Sequence, residues 1–194
     1  ATSVRIAMDP SAIRSFSPVG MAMKVTLQRF ESRHGAGVIR LIGSALEEHG
    51  QALAPDRADA DLLYIASAYT QRGGDFVVLL DESGGVAGTH ATLPIDPARG
   101  RVTFRRLYLA PALRGTGAGK MLMNWAVRWS MDHGYRRVEF WSDVLFSRAH
   151  RFFTRYGFIR TGETRTMFDA GQTYRENRFT MDLGSSCGNP PKLC

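Results

Sequence analysis

Residues 107–120 read LYLAPALRGTGAGK and carry the most informative pattern in the chain. A run of strand-forming residues leads into Pro111, a glycine-rich turn follows, and a helix begins near Ala118, where apolar residues start to recur on one helical face. The backbone N–H groups of such a turn point in one direction, and the dipole of the following helix adds positive potential. Glycine has no Cβ to hold a phosphate away from these amides. The stretch therefore predicts a strand–turn–helix unit that cradles a diphosphate.

Two well-known phosphate-binding loops do not fit this turn. A Walker A loop requires Gly-x-x-x-x-Gly-Lys followed by Ser or Thr, whereas Arg114 stands here at the first glycine position and Met121 follows Lys120. A dinucleotide fingerprint requires Gly-x-Gly-x-x-Gly, and Lys120 stands where its third glycine is needed. Neither kinase-like nor dehydrogenase-like chemistry is supported. Taken alone, the turn also fits a tight helix entry with no ligand.

A second motif decides between these interpretations. Residues 149–158 read AHRFFTRYGF. This segment resembles the Ala-x-x-x-Tyr-x-x-x-Gly-Phe signature of the GNAT acyltransferase superfamily, and residues 114–119, RGTGAG, resemble the superfamily's Arg/Gln-x-x-Gly-x-Gly/Ala motif. The resemblance implies an α/β (α+β) fold with a mixed, largely antiparallel sheet of about six to seven strands and helices on both faces. It also implies an acetyl-CoA-dependent N-acetyltransferase that uses no metal and forms no covalent enzyme intermediate.

The resemblance also implies a set of site residues. In this superfamily the glycine turn holds the diphosphate of acetyl-CoA, and the preceding strand pairs with the pantetheine arm. Carried over by motif position, the cofactor-binding residues are Leu107, Leu109, Leu113, Arg114, Gly115, Thr116, Gly117, Ala118, Gly119 and Lys120. The strand through Leu109 and the strand ending at Trp141 are expected to splay apart and leave a slot for the cofactor. The implied acceptor is an amine on a small molecule or a peptide, and homodimers are common in the superfamily.

Two positions depart from the superfamily pattern. The tyrosine that often protonates the departing thiolate is replaced by Phe153, which has no proton to donate. Tyr156 lies three residues on and faces about 60° away from that position on a helix. The asparagine that many members place near the pantetheine corresponds to Phe146, with Ser147 as a stand-in contact to the cofactor. These departures keep a second function open, a non-catalytic or weakly active sensor of acyl-CoA.

The sequence does not identify the general base. Glu139, Trp141 and Asp143 alternate onto one face of a predicted strand. Asp143 stands nearest the slot and is the catalytic candidate, although a residue in that place also fits a turn before Phe146. His90 offers a proton relay through water, or a purely structural role. Trp141 fits either the core or a wall of the acceptor pocket.

The body of the chain reads as one alternating unit over residues 23–183. Alternation around Val25 predicts a strand, and the apolar spacing from Val38 to Leu46 predicts an amphipathic helix that ends near Gly50. The remaining helices are predicted over 58–71, 118–131 and 147–156, and the remaining strands over 76–80, 86–93, 102–109, 138–141, 158–161 and 174–181. Four residues of the helix over 118–131 are assigned to the core, Met121, Met123, Trp125 and Trp129.

The two ends lack the pattern of buried elements. Residues 1–22 show no periodicity, and we expect a vector-derived or disordered leader. Residues 184–194 are expected to form a flexible tail. This tail holds both cysteines, Cys187 and Cys194, so the sequence indicates no structural disulfide and no cysteine-based metal site.

Composition sets the outer bounds. A chain of 194 residues with 44% hydrophobic and 22% charged residues suits one globular domain and excludes collagen-like or wholly disordered designs. No apolar run approaches the roughly 20 residues that span a bilayer, and residues 1–20 contain no secretion-type apolar segment, so a cytoplasmic protein is expected.

The net charge of +7 favours an anionic partner. Nucleic acid, a membrane surface and a polyphosphate cofactor all carry the required charge. Arginines cluster around the glycine turn without interleaved aromatic residues or a helix-turn-helix pattern, which disfavours a nucleic-acid-binding module. The polyphosphate of coenzyme A is the favoured partner.

Overall fold

The computed structural model describes residues 15–16, 24–169 and 172–184. The strands are β1 (Ser15–Phe16), β2 (Val25–Arg29), β3 (Asp75–Leu80), β4 (Val86–Asp96), β5 (Arg101–Leu109), β6 (Arg137–Asp143), β7 (Ile159–Asp169) and β8 (Gln172–Asp182). The helices are α1 (Gly35–Glu47), α2 (Ile65–Ala68), α3 (Ala118–Asp132) and α4 (Ser147–Tyr156).

All of these strands form one mixed sheet in the order β1-β2-β3-β4-β5-β6-β8-β7. Every neighbouring pair is antiparallel except β5 and β6, which run parallel. A parallel pair needs a crossover connection, and α3 supplies it between these two strands. The predicted mixed, largely antiparallel sheet is confirmed, with the two-residue β1 as an addition at one edge.

The central strand β3 shows why helices cover both faces. All six of its residues are buried, so the strand reads as a continuous apolar run rather than an alternating one. Phe76 and Val78 pack with α1 and α2, whereas Val77 and Leu79 pack with α3. The prediction of helices on both faces is therefore confirmed.

A second part of the core lies where α3 and α4 cover β5 and β6. Met123 and Trp129 of α3 are buried there as predicted, whereas Met121 and Trp125 are only partly buried and pack against the core. The other buried aromatic residues of this cluster are Phe104, Phe140, Phe153, Phe158 and Phe179. Because Phe104 and Phe140 face α3 and α4, the residues next to them on β5 and β6 project toward α1.

The prediction of one continuous helix over 58–71 is wrong. The segment folds as a 3-10 turn at Ala60–Leu62, the four-residue α2, and a second 3-10 turn at Thr70–Arg72. Asp59 and Asp61 both contact the guanidinium of Arg106. Two residues apart on a continuous α-helix, their side chains would point about 200° apart and could not reach one group. The tertiary ion pair outweighs the local helical pattern.

The strand predicted over 158–161 is too short. β7 continues to Asp169 and forms a long hairpin with β8. Its side chains are exposed almost throughout, because β7 is the edge strand of the sheet. An edge strand has no buried face over this length, so apolar alternation does not mark it.

The predictions for the chain ends concern residues that lie largely outside the described part. Of residues 1–22, only Ser15–Phe16 are described, and they pair with Val25 and Thr26 of β2. Of residues 184–194, only Gly184 is described. The leader and the tail therefore stay predictions.

A buried ion cluster fastens β5 to the segment before α2. β5 bulges where Arg106 and Leu107 stand opposite His90 of β4, and Arg106 adopts a φ of +58°. Its guanidinium contacts Asp59 at 2.6 Å and also contacts Asp61 and the carbonyl of Ala58. The side chain of Arg106 is 8% exposed, so the charges are desolvated and depend on one another.

Removing Arg106 should therefore destabilise the fold. Arg106→Met leaves two buried carboxylates without their cation, and we expect it to lower the free energy of unfolding by about 3–5 kcal/mol in urea denaturation. Arg128→Met is the matched control, because Arg128 is exposed on α3, and it should cost no more than about 0.5 kcal/mol. Equal effects of the two substitutions would show that the cluster contributes little.

Candidate active site

A cleft opens where β5 and β6 diverge. The two strands pair only at Arg101 with Arg137 and at Val102 with Val138. Beyond these pairs, residues 104–109 of β5 and residues 140–143 of β6 line opposite walls of a cleft of about 950 Å³. Within the described residues no strand pairs with the β6-facing edge of β5 past Val102. The slot implied by the resemblance is present.

The glycine turn stands at one end of this cleft. The amides of Leu113 and Arg114 are bonded within the turn, to the carbonyls of Ala110 and Pro111. Among the turn residues 113–120, the backbone amides without an acceptor in the described part of the chain are those of Gly115, Gly117, Gly119 and Lys120. The unbonded donors are thus four of the eight residues predicted for the turn. Leu113 and Ala118 are buried, and Thr116 binds the carbonyl of Leu113 through its hydroxyl at 2.8 Å.

Two glycines keep the turn open to an anion. Gly115 and Gly117 adopt φ values of +85° and +96°, a region that L side chains rarely occupy. A Cβ at either position would meet nothing within 4 Å, so the space in front of the amides is clear. The helix dipole of α3 points its positive end at the same space. A diphosphate fits this arrangement of donors and charge.

The side chain of Arg114 turns away from the predicted diphosphate position. Its guanidinium contacts both carboxylate oxygens of Glu48, at 2.5 and 2.7 Å, and donates to the carbonyl of Leu109 at 3.1 Å. The hydrogen bond from Arg114 lowers the pKa of Glu48. This cation therefore joins the turn to the end of α1, and its contact with the cofactor stays a prediction. Lys120 lines the cleft and has no ion pair within the described residues.

On the other wall, Asp143 is buried at the end of β6. One carboxylate oxygen accepts from the backbone N–H of Leu145 at 2.9 Å, and the other accepts from the side-chain amide of Gln51 at 2.7 Å. Asp143 thus caps a turn and also lines the cleft, and its catalytic role stays a prediction. Trp141 lines the cleft as a wall, with the guanidinium of Arg165 4.6 Å from its ring centre. Glu139 is instead ion-paired with arginine side chains.

Sequence comparison identifies the family. The family model described as "Acetyltransferase (GNAT) family" matches residues 40–158, more than half of the chain. The chain belongs to the GNAT acetyltransferase family. No curated protein sequence gives a significant match to it.

Solved structures with this fold support the assignment. A GNAT-family acetyltransferase from Staphylococcus aureus Mu50 superposes with a TM-score of 0.72 at 17% identity, covering 82% of this chain and 99% of its own. A phosphinothricin acetyltransferase from Sinorhizobium meliloti in complex with acetyl-CoA gives 0.67 at 20% identity, covering 87% and 94%. A putative acetyltransferase from Salmonella typhimurium with its cofactor acetyl-CoA gives 0.65 at 18%, covering 88% and 99%. At these identities the likeness concerns the fold.

Helix α4 of this GNAT domain does not bring a tyrosine to the cleft. Phe153 lines it from a packed position, 4.9 Å from the ring of Phe140 and 5.4 Å from that of Phe179. The hydroxyl of Tyr156 donates to Asn124 at 2.7 Å, and burial raises the pKa of Tyr156 to about 12. Tyr156 is not among the lining residues.

Ser147, predicted to contact the cofactor, does not line the cleft. Ser147 is exposed as the first residue of α4, and the cleft is lined there by Phe146, Arg148 and Ala149. The position is set by helical direction, because neighbouring residues of a helix point about 100° apart. Cofactor contact through Ser147 remains a prediction that this geometry does not support.

His90 lies at the floor of the cleft and is fully buried. Its Nδ1 is 3.2 Å from the carbonyl of Leu122, which can only accept, so Nδ1 carries the proton. Nε2 is then an acceptor, and it has no partner within the described residues. Burial lowers the pKa of His90 to about 4. At neutral pH the ring is therefore uncharged.

Sequence reasoning missed one side of the cleft. This side is lined by His49, Gln51, Ala54, Ala58, Asp59, Arg105, Arg165, Met167, Tyr174 and Glu176. Most of these residues come from the segment after α1 and from the β7–β8 hairpin. They are far apart in sequence and share no motif, so only the tertiary fold brings them together. The basic character of Arg105 and Arg165 was visible, but not their position.

Across residues 15–16, 24–169 and 172–184, no group of three or more His, Cys, Asp or Glu side chains is placed to hold a metal ion. None of the helices in that part is long and apolar enough to cross a membrane.

The burial of His90 predicts a pH-dependent stability. In the unfolded chain its pKa is about 6.5, so at pH 5 the unfolded state binds a proton that the folded state, with a pKa of about 4, does not. Stability is therefore lost as the pH falls below 6.5. Between pH 7.5 and 5 we expect this group to remove about 2 kcal/mol of unfolding free energy.

The measurement compares the parent with His90→Gln in urea denaturation at both pH values. The variant should lose about 2 kcal/mol less than the parent over the same interval. Parallel losses in the two proteins would mean that His90 is protonated in the folded state at pH 5.

Proposed function

We propose that the protein is an acetyl-CoA-dependent N-acetyltransferase that acts by direct attack of an amine. The observation that carries this proposal is the set of unbonded amides at Gly115, Gly117, Gly119 and Lys120, placed at the end of a cleft between two splayed strands. The acetyl-CoA complexes among the similar structures support the same donor. Membership of the acetyltransferase family supports group transfer.

The residues present fit coenzyme A. The four free amides and the Lys120 ammonium suit the diphosphate, with α3 adding its dipole. The unpaired edge of β5 at Leu107 and Leu109 suits the amide groups of the pantetheine arm, which would pair like an added strand. The walls between are apolar, with Phe152 beside Gly119.

Bound acetyl-CoA would supply an activated acetyl group and a thiolate leaving group. The chain's part is to orient the two reactants, exclude water and handle one proton. A backbone N–H near Leu109 is placed to polarise the carbonyl oxygen. Asp143, with its carboxylate fixed by Gln51 and the Leu145 amide, is placed to hold the acceptor amine and receive its proton, directly or through water.

A second candidate function is a non-catalytic or weakly active acyl-CoA sensor. Phe153 and the outward hydrogen bond of Tyr156 favour it, because α4 offers no acid to the departing sulfur. Thiol release separates the two functions. The purified protein is mixed with acetyl-CoA and a panel of small amines and amine-bearing peptides, and coenzyme A binding is measured by calorimetry in parallel. Amine-dependent thiol release supports the transferase, whereas binding without release from any amine supports the sensor.

The turn assignment is tested at Gly117. Gly117→Asp places a negative charge in the open space before the amides, and Gly117→Asn places a neutral side chain of the same size there. Both variants carry the same backbone strain, so their difference reports charge. We expect the aspartate variant to bind coenzyme A at least about tenfold more weakly than the asparagine variant by calorimetry. Equal dissociation constants in two folded variants would place the diphosphate elsewhere.

A further inference from the structure

Arg105 occupies an unusual place in the cleft. It stands three residues past Val102, the last residue of β5 that pairs with β6. Its neighbour Phe104 faces α3 and α4, so Arg105 projects from the opposite face of the sheet, the face of α1. The side chain is exposed and lines the cleft.

The guanidinium of Arg105 has no carboxylate partner among the described residues. Two other arginines that line the cleft are ion-paired, Arg106 with Asp59 and Asp61, and Arg165 with Glu176. Arg105 is near enough to Asp61 to help lower the pKa of that carboxyl. Both carboxylate oxygens of Asp61, however, already accept hydrogen bonds from Arg106, and one also accepts from the hydroxyl of Tyr69. The donors of Arg105 are therefore available to a ligand.

Coenzyme A phosphate does not account for this arginine. The glycine turn begins beyond Leu109, which stands four positions after Arg105, a separation of at most about 13 Å along a strand. Lys120 is the cleft-lining cation of the turn itself. Arg105 lies on the acceptor side of the sheet instead.

The β6 wall of the cleft carries a negative charge, that of Asp143, on the same α1 face of the sheet as Arg105. Asp143 of β6 projects toward the segment after α1, where Gln51 binds it, and it has no ion pair within the described residues. Glu176 stands beside it in register, but Arg165 neutralises that carboxylate. The acceptor side thus presents a free cation on β5 and a free anion on β6.

We propose that the acceptor is an amine that also bears an oxyanion, a carboxylate or a phosphonate, and that Arg105 binds this oxyanion. The inference rests on the proposed function and adds the substrate class. A guanidinium presents a planar pair of donors that matches either group. With the oxyanion on Arg105, the amine of the same molecule lies toward Asp143.

The experiment compares matched amines that differ in the oxyanion alone. L-amino acids are set against their primary amides, and 2-aminoethylphosphonate against propylamine, with thiol release from acetyl-CoA as the readout. The parent should prefer the anionic partner of one pair by about 10–100-fold in kcat/KM. The pair that shows the preference tells a carboxylate from a phosphonate.

Variants assign the preference to the residue. Arg105→Gln should bring the kcat/KM ratio of the anionic to the neutral amine close to one. Arg105→Lys should keep part of the preference, because the positive charge remains while the planar pair of guanidinium donors is lost. Arg128→Gln is the matched control, since Arg128 is exposed on α3 and does not line the cleft, and it should keep the ratio of the parent. A parent without preference, or a preference that survives Arg105→Gln, overturns the inference while leaving the transferase intact.

A binding arm keeps the two proposals separable. The N-acetylated acids and the corresponding N-acetylated amides are titrated into coenzyme A-saturated protein by calorimetry, which requires no turnover. Tighter binding of the acids that Arg105→Gln abolishes supports the inference even where no amine releases thiol, and in that case only the transferase fails. Equal binding of acids and amides, with no thiol release, overturns both.

Discussion

The rest of the structure depends on the loss of pairing between β5 and β6 after only two residue pairs. Adjacent parallel strands normally continue their ladder, because unpaired backbone groups in a protein interior cost free energy. Two features hold these strands apart. The bulge at Arg106 bends β5 and is fixed by the buried aspartates. Phe158 contacts Phe104 on one strand and Phe140 on the other, at centroid distances of 6.2 and 5.0 Å, so its ring occupies the divergence on the α3 and α4 face.

This divergence lets the two faces of one sheet share a site. The free amides before α3 and the lining residues of α4 lie on one face, and Arg105, Trp141 and Asp143 project from the other. A donor bound along the β5 edge and an acceptor held from the α1 face would meet through the gap. Each strand contributes to both roles, because its side chains alternate between faces. The bulge and the cleft are therefore one structural feature.

Local chemistry explains which parts of the site could be predicted from sequence. The glycine turn, the start of α3 and the bounds of α4 depend on residues close together in the chain, and Ser147–Tyr156 matches its predicted range. The turn's side-chain partners depend on distant residues. Arg114 pairs with Glu48, 66 residues away, and no local pattern signals that contact. The sequence likewise could not show that Ser147, the first residue of α4, points out of the cleft.

The interrupted helix near residue 60 also shows that a local pattern cannot reveal a contact with a distant residue. Its apolar spacing was real, since Leu62, Ile65 and Tyr69 are all buried. What the spacing could not show is that Asp59 and Asp61 serve a cation on β5, which a regular helix cannot allow. The segment before α2 forms part of the cleft wall through this contact, because Ala58 and Asp59 line the cleft. The least predictable part of the fold is thus the wall that the proposal assigns to the acceptor.

Phe153 then limits how a transfer in this cleft can handle its protons. Its ring is 7% exposed and packed among Phe140, Phe158 and Phe179, a setting with no polar partner for an acid. An ordinary thiol has a pKa of about 8.5, so a thiolate is an adequate leaving group near neutral pH without one. A protonated amine, in contrast, has no lone pair and must lose its proton before attack. Asp143 projects from the α1 face of the sheet, whereas Phe153 packs on the α3 and α4 face. In the proposed transfer, Asp143 would receive the proton that the amine must lose, and no acid on α4 would protonate the sulfur.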